Sequence, residues 1–427
     1  MTAIPFIGLI LAFAVMPIVT PKFWHHHWLG LSLGWIAAGL IFNLIFSQAD
    51  HYWLHIAEVM IVEYLPFIVV ISSLYIIAGG IRLEGKFGGT PLRNSITLAI
   101  GGVFASVIGT TAAALIFTRT LIDNNRHRAF TSHIFLFVIV IVGNIGGSLT
   151  PVGDPPLLIG YLQGIPFLWF GQNLWPMFLF MMVSLITIFF GVDFLYFRKH
   201  PSSLAKTKFR FKTVRIVGWY NLVLLSLVVL STLLIPSFIP TQSMTIFALA
   251  VPLKTVLMVL VVVAITGFSL LVTSRSLYSE NRFSYIPLIE VIVLFFGIFA
   301  TITPVLGLVK SLPLGDIMLS EHRNSYFFWG SGLFSSVLDN SPTFIIFMTL
   351  MGQNIGQIID SLPLILVALC CGTVFMGALT YIGNAPNLLV RNLVEAEKIK
   401  MPNFFTYSFY AVALLIPLFI LLDWLFL

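Results

Sequence analysis

Two aspartates carry most of the chemistry open to this sequence. Asp154 lies in GNIGGSLTPVGDPPLL and Asp339 in SVLDNSPTF, both within long apolar surroundings. An ionisable side chain at membrane depth is costly and usually functional where it occurs. Hydroxyl and amide side chains accompany each one: Thr150 before Asp154, and Asn340 and Ser341 after Asp339. Carboxylates, amide oxygens, hydroxyls and freed backbone carbonyls are hard oxygen donors suited to Na⁺. Burial disfavours a charged carboxylate and a nearby cation restores it, so one group can trade a proton for Na⁺. The ordinary alternative is that each aspartate caps a helix, Asp154 before Pro155 and Asp339 before Asn340-Ser341-Pro342.

Both aspartates belong to a duplicated unit. Adding 230 takes Gly147 to Gly377, Leu149 to Leu379, Thr150 to Thr380, Gly153 to Gly383, Asp154 to Asn384 and Pro156 to Pro386. The same offset lays Gly102–Thr111 on Gly332–Ser341, so that Gly109, Thr110 and Thr111 fall on Asp339, Asn340 and Ser341. A weaker match at 227 relates Glu63–Ile81 to Glu290–Leu308. Asn144 and Asn387 flank the two glycine- and proline-rich copies and complete the candidate polar set.

The chain that must position these groups has 427 residues, 59% hydrophobic and 9% charged, with a mean hydropathy of +1.02. That excludes a soluble domain and points to a multi-pass protein of the bilayer. Spans are expected near 4–20, 28–47, 58–81, 131–149, 174–197, 217–235, 244–273, 286–309, 363–380 and 404–425. The pattern lacks the alternating strands of a barrel, so the spans are helices. Segments 95–121 and 327–352 break at Gly109-Thr110-Thr111 and Asp339-Asn340-Ser341-Pro342 into halves too short to span, and read as re-entrant helical hairpins. The glycines and prolines of GGSLTPVGDPP and GALTYIGNAPN should unwind two further helices in mid-membrane. The fold class expected is an all-α polytopic membrane protein, an inverted-repeat transporter with two re-entrant hairpins and two discontinuous helices.

Orientation follows from the basic residues. Arg198, Lys199, Lys206, Lys208, Arg210, Lys212 and Arg215 form a cluster without an acid, which belongs in the cytoplasm. Counting crossings from it puts Arg82, Lys86, Arg93, Arg126, Arg128, Arg275, Arg282, Arg391, Lys398 and Lys400 on the same side. The hairpins then open from opposite faces, and the repeats are inverted. The division expected is 1–57 as N-terminal scaffold helices, 58–197 and 217–427 as the repeats, and 198–216 as a basic linker. The N-terminus has no basic n-region or small-residue cleavage site and is expected to be a retained helix.

With these motifs in hand, the sequence resembles the ion transporter superfamily, in particular its branch of NhaD-type sodium/proton antiporters, arsenite-efflux permeases and citrate-transporter-like proteins. NIGGSLTPVGDPP, SVLDNSPTF and TYIGNAPN carry the resemblance, which extends over nearly the whole chain. It implies hairpin tips at Gly109–Thr111 and Asp339–Ser341, and unwound segments at Asn144–Pro156 and Thr380–Asn387. It also implies a homodimer with a scaffold and a transport domain that moves like an elevator. The dicarboxylate carriers of the superfamily resemble one another in neutral Ser-Asn-Thr tips, whereas these tips read Gly-Thr-Thr and Asp-Asn-Ser. An acidic tip repels an anion and favours a cation.

The expected function is therefore Na⁺/H⁺ antiport across a bacterial inner membrane. The ion-binding set is Asp154, Asp339, Asn340, Asn384, Thr150, Thr380, Asn144, Thr110, Thr111, Ser341 and Asn387. Na⁺ is the transported or coupling ion, and no cofactor, nucleic acid or ATP site is expected. The competing reading is a Na⁺- or H⁺-coupled symporter for citrate or another small carboxylate, in which Arg119 and helix N-termini hold the anion. An intramembrane aspartyl protease would also need two aspartates, but Pro151 replaces the first glycine of the Gly-x-Gly-Asp pattern such enzymes share. Glu63 and Glu290 are candidate proton-pathway groups. His25-His26-His27 is a weaker candidate metal site at an aromatic membrane interface, and adjacent Cys370 and Cys371 are not expected to pair.

Overall fold

A computed structural model describes residues 3–46, 52–85, 88–199, 215–239, 242–246, 249–312, 320–352 and 355–427. Lys86 and most of the basic linker, with Lys206, Lys208, Arg210 and Lys212, lie outside the described residues. The protein is all-α and polytopic. Among the described residues eight helices are long and apolar enough to cross a membrane, or up to ten if each of two bent pairs is one span. Apolar side chains turn outward: the most apolar window of the Leu253–Val272 helix is 22% buried, with Leu271 85% exposed, whereas Ser132–Leu149 is 78% buried. A broad apolar exterior around a more polar interior suits lipid.

Both segments read as hairpins fold back on themselves. Pro91–Ile108 and Thr110–Asn125 reverse about Gly109, with Asn94 Nδ2 donating to Asn125 Oδ1 at 3.1 Å at the base and Phe104 meeting Phe117 at 6.0 Å higher up. Arg323–Leu338 and Asn340–Leu350 reverse about Asp339, with Phe334 against Phe347 at 5.8 Å. Each break is a single residue. Thr110 and Asn340 already begin the second arms, and Pro342 sits in a first helical turn, where its missing N–H costs nothing. One expectation fails on length: the 18-residue arm Pro91–Ile108 is long enough to pass as a span by itself. Its pairing with Thr110–Asn125 makes it half a hairpin.

The two glycine- and proline-rich copies unwind as expected, within tighter limits. A helix from Ser132 loosens into a π turn at Val138–Val142, tightens to 3₁₀ at Ile145–Leu149, loses helical form through Asp154 and restarts as Pro155–Leu162. Pro363–Met376 is followed by 3₁₀ at Gly377–Leu379, an irregular stretch to Asn384, and the helix Ala385–Ala396. Pro156 and Asn387, placed in the unwound stretches by the resemblance, instead lie in the first turns of the following helices.

Other departures are local. The expected span 244–273 begins as a β-hairpin, Ser243–Ile246 against Leu249–Pro252, and its helix starts at Leu253. The expected span 286–309 bends by 49° at Ile302, ahead of Pro304. Glu63 lies in a π turn, Met60–Tyr64. The N-terminal helices Ile4–Val19 and Pro21–Phe46 pack on Ile286–Thr301 through small residues, Gly39 against Thr301 and Gly297 against Leu9 and Ile36.

The basic segments gather at one end of the molecule. Arg82–Glu84 pairs antiparallel with Arg215–Val217. Arg82 Nη1 reaches Glu280 at 3.2 Å, Arg282 pairs with Glu397, and Ser132 Oγ donates to the Lys400 carbonyl at 2.8 Å. A buried ion pair also lies at the base of the first hairpin. Arg128, near the start of the Ser132 segment, grips Asp193 of the Phe167–Lys199 helix with Nη1 at 3.0 Å from Oδ2 and Nη2 at 2.5 Å from Oδ1. His133 Nε2 lies 2.8 Å from Oδ1, and Asn94 Nδ2 donates to Oδ2 at 3.0 Å. Removing one partner of such a pair leaves an uncompensated charge. Asp193→Ala is therefore expected to destabilise the protein by about 3–5 kcal/mol, seen as a lower Tm in detergent; an unchanged Tm would show that the hairpin base is held by its apolar packing alone.

Candidate functional site

The two hairpin tips and the two unwound segments meet at Asp154. The first tip turns at Gly109 with φ 89° and ψ 146°, and the second at Asp339 with φ 73° and ψ 153°. Glycine takes this conformation freely, whereas aspartate is strained there. The unwound segments repeat one another as closely: Thr150 and Thr380 are both extended, and each hydroxyl donates to a hairpin carbonyl 44 residues earlier, Ser106 and Ser336. A Cβ on Gly153 or Gly383 would strike the carbonyl of Gly147 or Gly377. These four glycines let the chain cross itself.

Asp154 is buried, and its carboxylate is met from three directions. Thr110 Oγ1, on the first tip, donates to Oδ1 at 3.0 Å. Asn340 Nδ2, on the second tip, donates to Oδ2 at 2.8 Å. Asn384 Nδ2, from the second unwound segment, donates to Oδ1 at 3.1 Å. The carboxylate makes no capping bond to the helix beginning at Pro155, so the capping alternative fails for this residue. The network runs on through neutral amides. Asn384 Nδ2 also lies 3.2 Å from Asn144 Oδ1, and Asn144 Nδ2 donates to Asn387 Oδ1 at 2.8 Å. Asn387 Nδ2 closes onto the carbonyls of Gly377 and Thr380 at 2.9 and 2.8 Å. Turning the Asn340 or Asn384 carboxamide by half a rotation would replace an N–H with an acceptor oxygen. The cluster would then offer a cation a carboxylate and amide oxygens.

Asp339 does cap its helix, accepting from the Ser341 N–H at 3.2 Å. It also lines a cavity of about 410 Å³ that it shares with Asp154, Thr110, Thr111, Asn384 and Glu290. The opposite wall is largely apolar, with Ile10, Phe13, Leu74, Leu294 and Phe295, and Arg282 lines the cavity from the basic end. Thr111 thus faces the cavity and makes no bond to the carboxylate. Ser341 Oγ is buried with no hydrogen-bond partner among the described residues. Thr150 and Thr380 hold the backbone crossings and do not touch Asp154.

Of the remaining candidates, Glu290 lines the cavity and Glu63 does not. Arg119 lies outside this cavity, in a smaller one, so it does not hold an anion beside Asp154. His26 and His27 each put Nδ1 on a carbonyl of their own helix, and no group of three or more metal-binding side chains converges among the described residues. Cys370 and Cys371 are buried and free. Ser335 was not foreseen: its hydroxyl donates to Asn340 Oδ1 at 2.6 Å and lies 2.7 Å from the Thr373 carbonyl, fixing the amide that holds Asp154. Its repeat partner is Ala105, so the duplication gave no signal.

The model of a family described as "Putative citrate transport" matches residues 1–427. The chain belongs to that family. It is also 31% identical over 135 residues to uncharacterized transporters of Mycobacterium bovis and Mycobacterium tuberculosis, a match covering 28% of this chain and 31% of each relative. Family and relatives alike are described as transporters, which is consistent with a protein that is not an enzyme, and the spans among the described residues are those of a multi-pass membrane protein.

Glycine would fill the Asp339 position without strain, and the capping bond from the Ser341 N–H is what the carboxylate adds to the fold there. Asp339→Gly should relieve strain of order 1–3 kcal/mol while losing only a few tenths in capping. The variant is expected to have a Tm at or above that of the parent and to lose transport; retained transport would reduce Asp339 to a helix cap.

Proposed function

We propose that this transporter exchanges Na⁺ for H⁺, with Asp154 and Asp339 as the groups that carry the proton or hold the ion. The observation that carries the reading is the convergence on Asp154 of Thr110, Asn340 and Asn384, from both hairpin tips and one unwound segment. A cation bound there would be felt by every segment of the duplicated core at once. Asp154, Asp339 and Glu290 on one cavity favour a cation over a free anion. Na⁺ is cargo in this reading, and no cofactor takes part.

The basic end is the cytoplasmic face by the positive-inside bias, in a bacterial inner membrane. The cavity, which reaches from Arg282 to Asp154, then opens inward. Residues 1–57 form the scaffold, 58–197 and 217–427 the inverted repeats, and 198–216 the linker. The working unit is a homodimer whose hairpin-bearing part slides against the scaffold in an elevator-like movement.

The carboxylate reading keeps one observation of its own. A cavity of about 410 Å³ is far roomier than Na⁺ needs and would take a small organic anion together with its cation, in keeping with the family's description. Proteoliposomes separate the two. Na⁺ alone is expected to collapse an imposed pH gradient, and Asp154→Asn and Asp339→Asn are expected to abolish the response. If the gradient moves only when citrate is added, coupled carboxylate transport replaces exchange. Inversion has its own check. Single cysteines at His127 and Ser320, in a background with Cys370 and Cys371 replaced, should be labelled by an impermeant maleimide from opposite sides of the membrane; labelling from one side would remove the inversion.

A further inference from the structure

The Asn340 carboxamide touches Asp154 at one end and Ser335 at the other. Its Nδ2 donates to Asp154 Oδ2 at 2.8 Å, and its Oδ1 accepts from Ser335 Oγ at 2.6 Å. Ser335 is fully buried in the first arm of the second hairpin, and its Oγ also lies 2.7 Å from the Thr373 carbonyl. A hydroxyl has one proton to give and lone pairs to receive, so it can serve Asn340 or Thr373 and not both. Thr373 sits in the last turn of its helix, where carbonyls run out of intrahelical partners. Both demands are met in a second arrangement. The carboxamide turns by half a rotation, Nδ2 donates to Ser335 Oγ, and the Ser335 hydroxyl donates to the Thr373 carbonyl. Oδ1 then faces Asp154, where a bare carboxylate repels it and a cation would take it as a ligand.

The other carboxamide on Asp154 has no such freedom. Asn384 Nδ2 also lies 3.1 Å from the Gly143 carbonyl. A turned Asn384 would set its oxygen against that carbonyl, which can only accept. We propose that Ser335 is a positioning residue that makes the Asn340 carboxamide reversible, its N–H facing Asp154 while the carboxylate is bare and its oxygen facing a bound cation. The inference rests on the reading that Asp154 holds a cation, and it adds the group that readies the second hairpin tip to become a ligand.

Removing the hydroxyl takes one hydrogen bond from the N–H-inward form, Ser335 to Asn340. It takes two from the oxygen-inward form, Asn340 to Ser335 and Ser335 to Thr373. The test is Na⁺ binding to the full-length protein in detergent, titrated by calorimetry at one fixed pH. Ser335→Ala is expected to weaken Na⁺ by about two- to tenfold, the worth of the one extra bond. Alanine suits the place, since the equivalent residue of the first half is the fully buried Ala105. Ser335→Cys, whose thiol donates and accepts weakly, should also bind Na⁺ more weakly, and it decides the matter if the alanine variant does not elute as a single species. A Ser335 that only anchored the N–H inward would, once removed, free the oxygen, so Na⁺ binding as tight as the parent's or tighter overturns the inference. In an Asn340→Ser background, which keeps an oxygen at the tip but has no carboxamide to turn, Ser335→Ala is expected to cost nothing further. An equal further loss there would show that Ser335 acts by another route. A parent that binds no Na⁺ removes the cation reading and this inference with it, whereas a parent that binds Na⁺ no better than its Ser335 variants removes the inference alone.

Discussion

A carboxylate enclosed within a membrane protein must be met by donors, and the core of this molecule is arranged to meet one. The Asp154 side chain is reached by Thr110, Asn340 and Asn384, none of them near it in sequence. For those groups to arrive, two helices must reverse inside the protein and two others must come apart. Reversal and unwinding both expose backbone groups that hydrocarbon cannot satisfy. The protein answers with Thr150 on the Ser106 carbonyl and Thr380 on the Ser336 carbonyl, and with glycines where strands of backbone touch. The irregular backbone and the buried charge therefore support one another.

The duplication separates positions that hold the backbone from positions that differ in charge. Positions that agree between the halves hold the backbone: Thr150 with Thr380, Gly147 with Gly377, and Gly153 with Gly383. Positions that differ bear on charge. Asp154 answers to Asn384, and Gly109 to Asp339, so each half supplies one carboxylate from a different structural place. Were the halves identical in these positions, aspartates would come in like pairs, none, one pair or two, at equivalent places. Divergence has left one acid at an unwound segment and one at a hairpin tip, on a shared cavity.

This division explains what could be read from the sequence. The site residues announce themselves because glycine, proline, asparagine and aspartate are conspicuous in an apolar chain, and because a constant offset ties the segments together. Thr110, Asn144, Asp154, Asn340, Asn384 and Asn387 were all visible in that way, and all join one network. Asp193 was not. It sits near the end of a long apolar helix, and its partners Arg128, His133 and Asn94 come from other elements without a motif. The β-hairpin at 243–252 was hidden for another reason: Leu249, Val251 and the apolar run after Pro252 merge into a single hydropathy signal.

The cavity is a seam between unlike walls. On one side, hairpin tips and unwound segments are locked to each other by directional hydrogen bonds. On the other, Ile10, Phe13, Leu294 and Phe295 offer contacts that are non-directional. The helices of that wall are fastened among themselves: Tyr64 donates to the Ile292 carbonyl at 3.1 Å and Tyr75 to the Ser284 carbonyl at 2.9 Å. Hydrogen bonds fix a register and apolar surfaces tolerate more than one, while at the basic end the Arg282–Glu397 ion pair ties the two walls together. Alternating access requires a rigid ion-holding body and a surface along which it can be displaced. In the exchange proposed above, the polar network around Asp154 would be the first and the apolar wall facing it the second.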